Sequence, residues 1–270
     1  MKLKMRGVIN WDEKLLPYEQ AVDELVVKFR SLATGFRKLD RPSPIETVYG
    51  RVKKASSILE KASRKGIDPA DISEKIEDIA GVRIICRFIN DISRVITLIK
   101  DRSGVDLEII KERDYITNIK SSGYRSYHLN VRYPVITAFG FSRVIVEIQI
   151  RTMAMNFWAI IEHSLRYKYQ GNIPEHLARR LISSAEAAAR LDNDMNEIHD
   201  EILEAQQMFR SKTALVDDIL DHIQRLCSAA RLDEVEELSS RFFELYEGGD
   251  FKKLEDFNRE LRAMREVYRV

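Results

Sequence analysis

The feature that most constrains the fold of this chain is a change of hydrophobic period partway along it. "VRIICRFI" (82–89), "VDLEIIKER" (105–113), "SYHLNVRYPV" (126–135) and "SRVIVEIQI" (142–150) carry the β-branched, alternating or continuous apolar patterns of strands. "ITAFGF" joins the last two, and its Gly140 marks a hairpin-like turn. On both sides of this block the spacing is helical. Val22, Leu25, Val26, Phe29 and Leu32 line one face of a helix over residues 18–39. "DRPSPIE" breaks it, and Ser43-Pro44 suits the cap and first turn of a second helix over about residues 45–65, ended by Gly66. "DPADISEKIEDIAG" reads as a short third helix, and "DISRVITLIKDR" as one between the first two strands. From Thr152 onward everything is helical: "MAMNFWAIIEHSLRYKY", a long helix opening at Pro174, and three amphipathic segments in the tail, with Gly248-Gly249 as a turn before the last. Four strands read directly give a mixed sheet flanked by helices, an α/β (α+β) fold with helical ends.

Lys plus Arg (44) almost balances Asp plus Glu (43). Nothing global favours generic nucleic-acid or membrane binding. Cys86 and Cys227 are far apart and outside any metal or redox spacing, which fits a reducing compartment without a disulfide framework. The start, residues 1–16, has basic residues but no apolar run behind them, so it does not read as a signal peptide. No stretch approaches the roughly 20 apolar residues of a membrane span. The chain reads as cytoplasmic.

Three groups of residues carry chemistry. In "GRVKKASSILEK", Lys53, Ser57 and Lys61 fall at i, i+4 and i+8, on one face if the segment is helical. The row spans roughly 12 Å, about the reach of a triphosphate, and Arg51 precedes it as a base-stacking or phosphate-gripping group. A solvated basic face has the same spacing. Asp78 sits just before the first strand. Along the last strand Val144, Val146, Ile148 and Ile150 point to the core, while Ile145, Glu147, Gln149 and Arg151 point the other way. Two carboxylates so placed suit Mg²⁺, which takes one or two of them plus substrate phosphates; two solvent-facing acids, with Glu147 paired to Arg143 or Arg151, read equally well. In "KSSGYRSYHL", Tyr124, Ser126 and His128 share a face if the strand extends that far, putting Tyr124 and His128 about 13 Å apart. A base could stack on Tyr124 with phosphates near Lys120 and His128, with Gly123 letting the backbone approach. An edge strand with amphipathic surface residues is the alternative. Together the groups describe two nucleotide seats flanking a carboxylate pair, and transfer of a phosphoryl-type group between nucleotides.

"SPIETVYGRVKKASSILEK", "IEDIAGVRIICRF", "ERDYI", "KSSGYRSYHL" and "VEIQIRTMAMNFWAIIEHSLRYKY" resemble the RelA/SpoT alarmone synthetase family, and its small RelQ-like members in particular, over about residues 12–211. The resemblance implies a nucleotidyltransferase-like synthetase domain with a sheet of about five strands, followed by a helical extension over residues 212–270. It implies Mg²⁺-dependent transfer of the β,γ-pyrophosphate of ATP to the 3′-hydroxyl of GDP or GTP, giving (p)ppGpp and AMP in the stringent response. On this reading Arg51, Lys53, Ser57, Lys61, Arg83 and Arg113 contact ATP. Asp78 and Glu147 hold metal, with Glu147 also placed to take the 3′-hydroxyl proton. Lys120, Tyr124, His128, Gln149 and Asn156 contact the guanosine nucleotide. The family also implies a homotetramer and, in some members, product activation and inhibition by single-stranded RNA; Thr47 and Tyr49 depart from the pattern of close relatives. With no hydrolase region before the synthetase region, the chain should make alarmone and not degrade it. Trp158 and His163 read as packing or interface residues, His176, His199 and His222 as surface residues, and Cys86 as core. A nucleotidyltransferase with another acceptor has no need of the Tyr124/His128 pair, and a catalytically silent nucleotide- or RNA-binding regulator would lack an acid or a lysine that is present here.

Overall fold

A computed structural model describes residues 10–169, 173–227 and 232–268. The amino-terminal residues 1–9, part of the segment read as lacking a signal peptide, lie outside the described residues. Helix α1 (Trp11–Lys38) opens on Asn10, whose side chain accepts from the Glu13 N–H, and starts seven residues earlier than its apolar spacing suggests, passing through Pro17. Strand β1 (Thr47–Val52) follows, then α2 (Ala55–Lys65), a 3-10 turn (Pro69–Asp71) and α3 (Ile72–Lys75). Then come β2 (Ala80–Cys86), α4 (Ile89–Lys100), β3 (Glu108–Asp114), β4 (Tyr127–Thr137), β5 (Gly140–Thr152), α5 (Met153–Lys168), α6 (Glu175–Leu226), α7 (Leu232–Glu247) and α8 (Phe251–Tyr268).

The helix expected over residues 45–65 is thus two elements. Thr47, Val48, Tyr49 and Val52 have the side chains a pleated surface favours. Pairing with β2 satisfies the backbone groups on their inner edge, and Val48 enters the core. Ser43 is not a helix cap; its hydroxyl closes on the Ile45 backbone. Lys53 therefore precedes α2 and is not on a helix. The third helix is only one turn long, because Asp68 caps a 3-10 turn and the chain leaves helical geometry at Ile76. The first amphipathic tail segment is the end of α6, a 52-residue helix.

The five strands form one mixed sheet in the order β1-β2-β5-β4-β3, in which only β2 and β5 run parallel. β4 and β5 form the expected hairpin, with Gly140 at φ +108°. Val82, Ile84, Leu129, Val131, Ile148 and Ile150 belong to the core with Leu25 and Phe29 of α1. Gly50 lies under α1, where a Cβ would meet the Val22 side chain at 2.3 Å. Cys86 is buried in this core, as expected. The chain divides into compact units 1–196 and 197–270; the expected boundary at 211 falls inside α6. The second unit has its own core, built on Ile219, Phe242, Leu254 and Phe257. There His222 is buried against Arg262 and Arg265 and is not a surface residue. Arginine only donates and a neutral imidazole has a single acceptor nitrogen, so the ring accepts a hydrogen bond from one of the two and not from both. Among the described residues no helix is long and apolar enough to cross a membrane.

Candidate functional site

Strand register assembles the site on the sheet face opposite α1. One row across the sheet reads Tyr49, Arg83, Gln149, His128, Arg113; the next reads Arg51, Gly81, Glu147, Asn130, Lys111. Alternation puts these rows on one face: on β1, β2, β4 and β5 the intervening Val48, Val82, Leu129, Val131, Val146 and Ile148 fill the core.

Asp78 stands in the turn before β2. Its Oδ2 accepts from Lys53 at 2.7 Å and from Lys61 at 2.6 Å, while its Oδ1 is buried without a hydrogen-bond partner among the described residues. Burial pushes the Asp78 carboxyl up, but the two lysines outweigh it and hold the group below the usual aspartate value. Ser57 lies on α2, one turn ahead of Lys61. The preceding residue, Glu77, pairs with Lys111 at 3.0 Å and with Arg113. Arg113 is thereby tied at one edge of the row.

Glu147 is held from two sides. Its Oε1 lies 3.0 Å from His128 Nδ1, and its Oε2 accepts from Gln149 Nε2 at 2.7 Å. Burial raises its pKa; His128 and Gln149 overcome that, and the carboxyl sits below the usual glutamate value. The chain of contacts continues. His128 Nε2 lies 2.9 Å from the Tyr124 hydroxyl, which accepts from Arg151 Nη2. Arginine only donates, so the Tyr124 proton is free to go to Nε2 and the imidazole proton to sit on Nδ1, facing the carboxylate.

This corrects the extended picture of residues 124–128. β4 begins at Tyr127, Gly123 turns the chain at φ +86°, and Tyr124 folds back so that its ring centroid is 5.9 Å from that of His128. His128 is thus committed to Tyr124 and Glu147 instead of standing about 13 Å away at a phosphate end. The turn is possible because residue 123 has no side chain: a Cβ there would lie 2.6 Å from Ala185 of α6. Trp158 packs at the same spot, donating to the Leu181 carbonyl, so its packing role holds. Lys120 Nζ lies over the rings of Tyr115 and Tyr124, at 4.1 and 4.7 Å. Burial lowers its pKa, against the pull of Glu147 and with the help of Arg113 and Arg151.

Two adjoining clefts open on this face. One, of about 420 Å³, is lined by Arg51, Asp78, Arg83, Glu147, Gln149 and Asn156. The Asn156 Oδ1 is buried there without a hydrogen-bond partner among the described residues. The other, of about 750 Å³, is lined by Lys120, Tyr124 and Arg151, and by His163 and Arg166 of α5. His163 is exposed at this cleft and is not a packing residue. Arg51, Arg83 and Gln149 border both clefts. Burial, then the like charges of Arg151 and Arg51, bring the Arg83 guanidinium down to about 10. Such a wall is built to receive anions.

The sheet rows, the two clefts and the Asp78 contacts bring together on this face the residues singled out from sequence, except Ser57, which is located only by its place on α2. Sequence reasoning missed Arg151, Tyr115, Glu77 and Asn130 as parts of it. Arg151 is 4% exposed and also binds Ser126 Oγ and Gln149 Oε1. It shares the alternation that singled out Glu147 and Gln149, which was the available signal. Among the described residues no group of three or more acidic, His or Cys side chains could hold a metal by itself. Two carboxylates with one free buried oxygen fit a cation whose remaining ligands come with a phosphate substrate.

The family described as "Region found in RelA / SpoT proteins" matches residues 50–172. The chain is 54% identical over 203 residues to GTP pyrophosphokinase YjbM of Bacillus subtilis, covering 75% of this chain and 95% of that protein. Among solved structures it is similar to a GTP pyrophosphokinase family protein from Streptococcus pneumoniae, with a TM-score of 0.70 and 49% identity over 74% of this chain and 98% of that one. It is also similar to the small alarmone synthetase 1 of Bacillus subtilis bound to its product pppGpp, with a TM-score of 0.68 and 53% identity over 71% of this chain and 97% of that one.

Proposed function

The chain belongs to the RelA/SpoT family, and on that footing we propose that it is a (p)ppGpp synthetase, an ATP-dependent GTP diphosphokinase. The 3′-oxygen of GDP or GTP attacks the β-phosphorus of ATP, the bond from that phosphorus to the α,β-bridging oxygen breaks, and AMP leaves. The observation that carries this reading is the cluster on one sheet face: a carboxylate gripped by two lysines beside a second carboxylate aligned by His128, with a Tyr/Lys/Arg cleft adjoining.

The smaller cleft takes the ATP polyphosphate, with Lys53, Lys61, Arg51 and Arg83 neutralising it and Ser57 and Arg113 at its margins. The larger takes the guanosine nucleotide, with Tyr124 under the base, Lys120 and Arg151 beside it, and Gln149 and Asn156 at the shared wall. Glu147 accepts the 3′-hydroxyl proton, and His128 fixes the direction in which its carboxylate points. Asp78 and Glu147 would hold Mg²⁺, with Asp78 Oδ1 as the oxygen that the lysines leave unpartnered. Mg²⁺ held by these two carboxylates would supply charge neutralisation to the phosphates being transferred. The family also carries into this reading a cytoplasmic homotetramer acting in the stringent response, regulation by single-stranded RNA, and a synthetase region over residues 12–211 followed by a helical extension.

Purified protein incubated with Mg²⁺, γ-labelled ATP and GDP or GTP tests the proposal. Label moving into ppGpp or pppGpp with release of AMP is the expected result. No transfer by folded protein, with and without added pppGpp, would overturn it.

A further inference from the structure

We propose that Asn130 is a member of this site, a residue whose amide engages the hydration shell of the bound cation and not the protein; this rests on the function proposed above. Asn130 is 1% exposed, yet neither its Oδ1 nor its Nδ2 has a hydrogen-bond partner among the described residues. An amide has two donors and two acceptor positions to fill, and buried polar groups are normally paired. Its neighbours on β4, Leu129 and Val131, show what the strand takes where only packing is needed. A polar residue kept at a site that costs the free protein stability points to a partner that arrives later.

The position says which partner. Asn130 lies on the His128 face of β4, directly across from Glu147 of β5 on one side and Lys111 of β3 on the other. Cross-strand neighbours on one face have Cβ atoms about 4.5–5.5 Å apart. The other carboxylate, Asp78, is close enough to raise the pKa of Glu147, and its Oδ1 is likewise buried and unpartnered. Besides the orphan Oδ1 of Asp78, both amide atoms of Asn130 and the Asn156 Oδ1 thus stand unpartnered around one pair of carboxylates. Mg²⁺ dehydrates reluctantly and keeps several waters. The hydrogens of those waters need acceptors, which Oδ1 supplies, while Nδ2 offers a donor to a phosphate oxygen.

The test uses Mn²⁺ as a paramagnetic substitute. Its binding to the full chain is measured by electron paramagnetic resonance with GDP and a non-hydrolysable ATP analogue present, alongside melting of the ligand-free protein. Asn130→Leu is expected to melt at the same temperature as wild type or higher, because a buried unpaired amide is gone. It should also bind Mn²⁺ about tenfold or more weakly, as when a partner of a metal's ligands is lost. Asn130→Asp, which keeps an acceptor oxygen, retains Mn²⁺ binding and decides the matter if the leucine variant does not fold. Unchanged Mn²⁺ affinity in Asn130→Leu, or lost affinity in a folded Asn130→Asp, would overturn the role of Asn130 alone. Wild-type protein that takes up no Mn²⁺ with both nucleotides would overturn the cation reading of the site, and this inference with it.

Discussion

Lys61 Nζ lies 2.6 Å from Asp78 Oδ2, the same oxygen that Lys53 reaches at 2.7 Å. The two lysines assigned to the polyphosphate are thus bound to the carboxylate assigned to the cation. With two ammonium groups on it, Asp78 is a poor cation site until phosphates draw the lysines away. Nucleotide and metal should therefore bind cooperatively, and the coupling must act equally in both directions. Mn²⁺ alone is expected to bind at least about tenfold more weakly than Mn²⁺ with a non-hydrolysable ATP analogue, a coupling within the usual range. In Lys53→Met/Lys61→Met the metal alone should bind more tightly, and the coupling should fall to the part that the phosphate ligands themselves supply. Equal Mn²⁺ affinity with and without the analogue, measured on wild type, would refute the exchange.

Tyr124 combines two roles that substitutions separate. Its ring offers a stacking surface, worth roughly 1–3 kcal/mol per base, and its hydroxyl links Arg151 to His128. Tyr124→Ala should raise KM for GDP about 5- to 150-fold with little change in KM for ATP, the range that follows from the stacking energy. Tyr124→Phe keeps the ring and cuts the link to His128, so it should leave KM for GDP nearly unchanged and lower kcat. Steady-state kinetics with each substrate varied in turn separates the cases. Equal effects on both KM values would remove Tyr124 from the guanosine side.

How much of this was legible in the sequence differs element by element. β5 was plain because Val144, Val146, Ile148 and Ile150 alternate with Glu147 and Gln149, and that pattern placed Glu147 on the sheet face it occupies. β1 was invisible. Six residues containing Gly50 and Arg51, with only Val48 fully buried, carry no period of their own, and the strand exists because β2 offers an edge. The same blindness misplaced Lys53. It reaches Asp78 from the loop after β1, whereas an unbroken helix would have carried it there by periodicity. Tyr124 and His128 were recognised as a pair, but their mutual contact depends on the positive φ of Gly123 and on Ala185, 62 positions further along the chain. Asn130 gave no sign at all, since an unsatisfied amide is a property of the packed sheet and not of the chain.

The two carboxylates set the response to acid. Both are held below their ordinary values in the folded protein, Asp78 by its lysines and Glu147 by His128 and Gln149, each against its own burial. A depressed folded-state pKa stabilises the fold above the unfolded-state value, about 3.9 for Asp and 4.3 for Glu. That contribution is lost as pH falls through the lower folded values. Wild-type melting temperature should therefore drop steeply below about pH 4, in the window under those reference values. Asp78→Asn should melt lower than wild type at pH 7 and show a shallower drop in the acid window. A wild-type curve parallel to that of Asp78→Asn throughout would show that the lysine pairs add no stability.

Phe257 tests whether the second compact unit stands on its own core. It is 1% exposed and packs in a cluster whose members all lie between residues 215 and 264. Phe257→Ala leaves a cavity, and such changes cost about 3–5 kcal/mol. Amide exchange governed by opening of this unit should then accelerate more than about 100-fold across α7 and α8, as the same energy implies for a local unfolding equilibrium. Exposed Arg259, paired with Asp256 on its own helix, provides the control: Arg259→Ala should change exchange little, because such surface pairs contribute at most about 1 kcal/mol. In Phe257→Ala the amides of β4 and β5 should keep their protection, since no residue of those strands belongs to the cluster. If they lose it in step with α7 and α8, the two units unfold as one, and the cluster is part of what holds the catalytic sheet together.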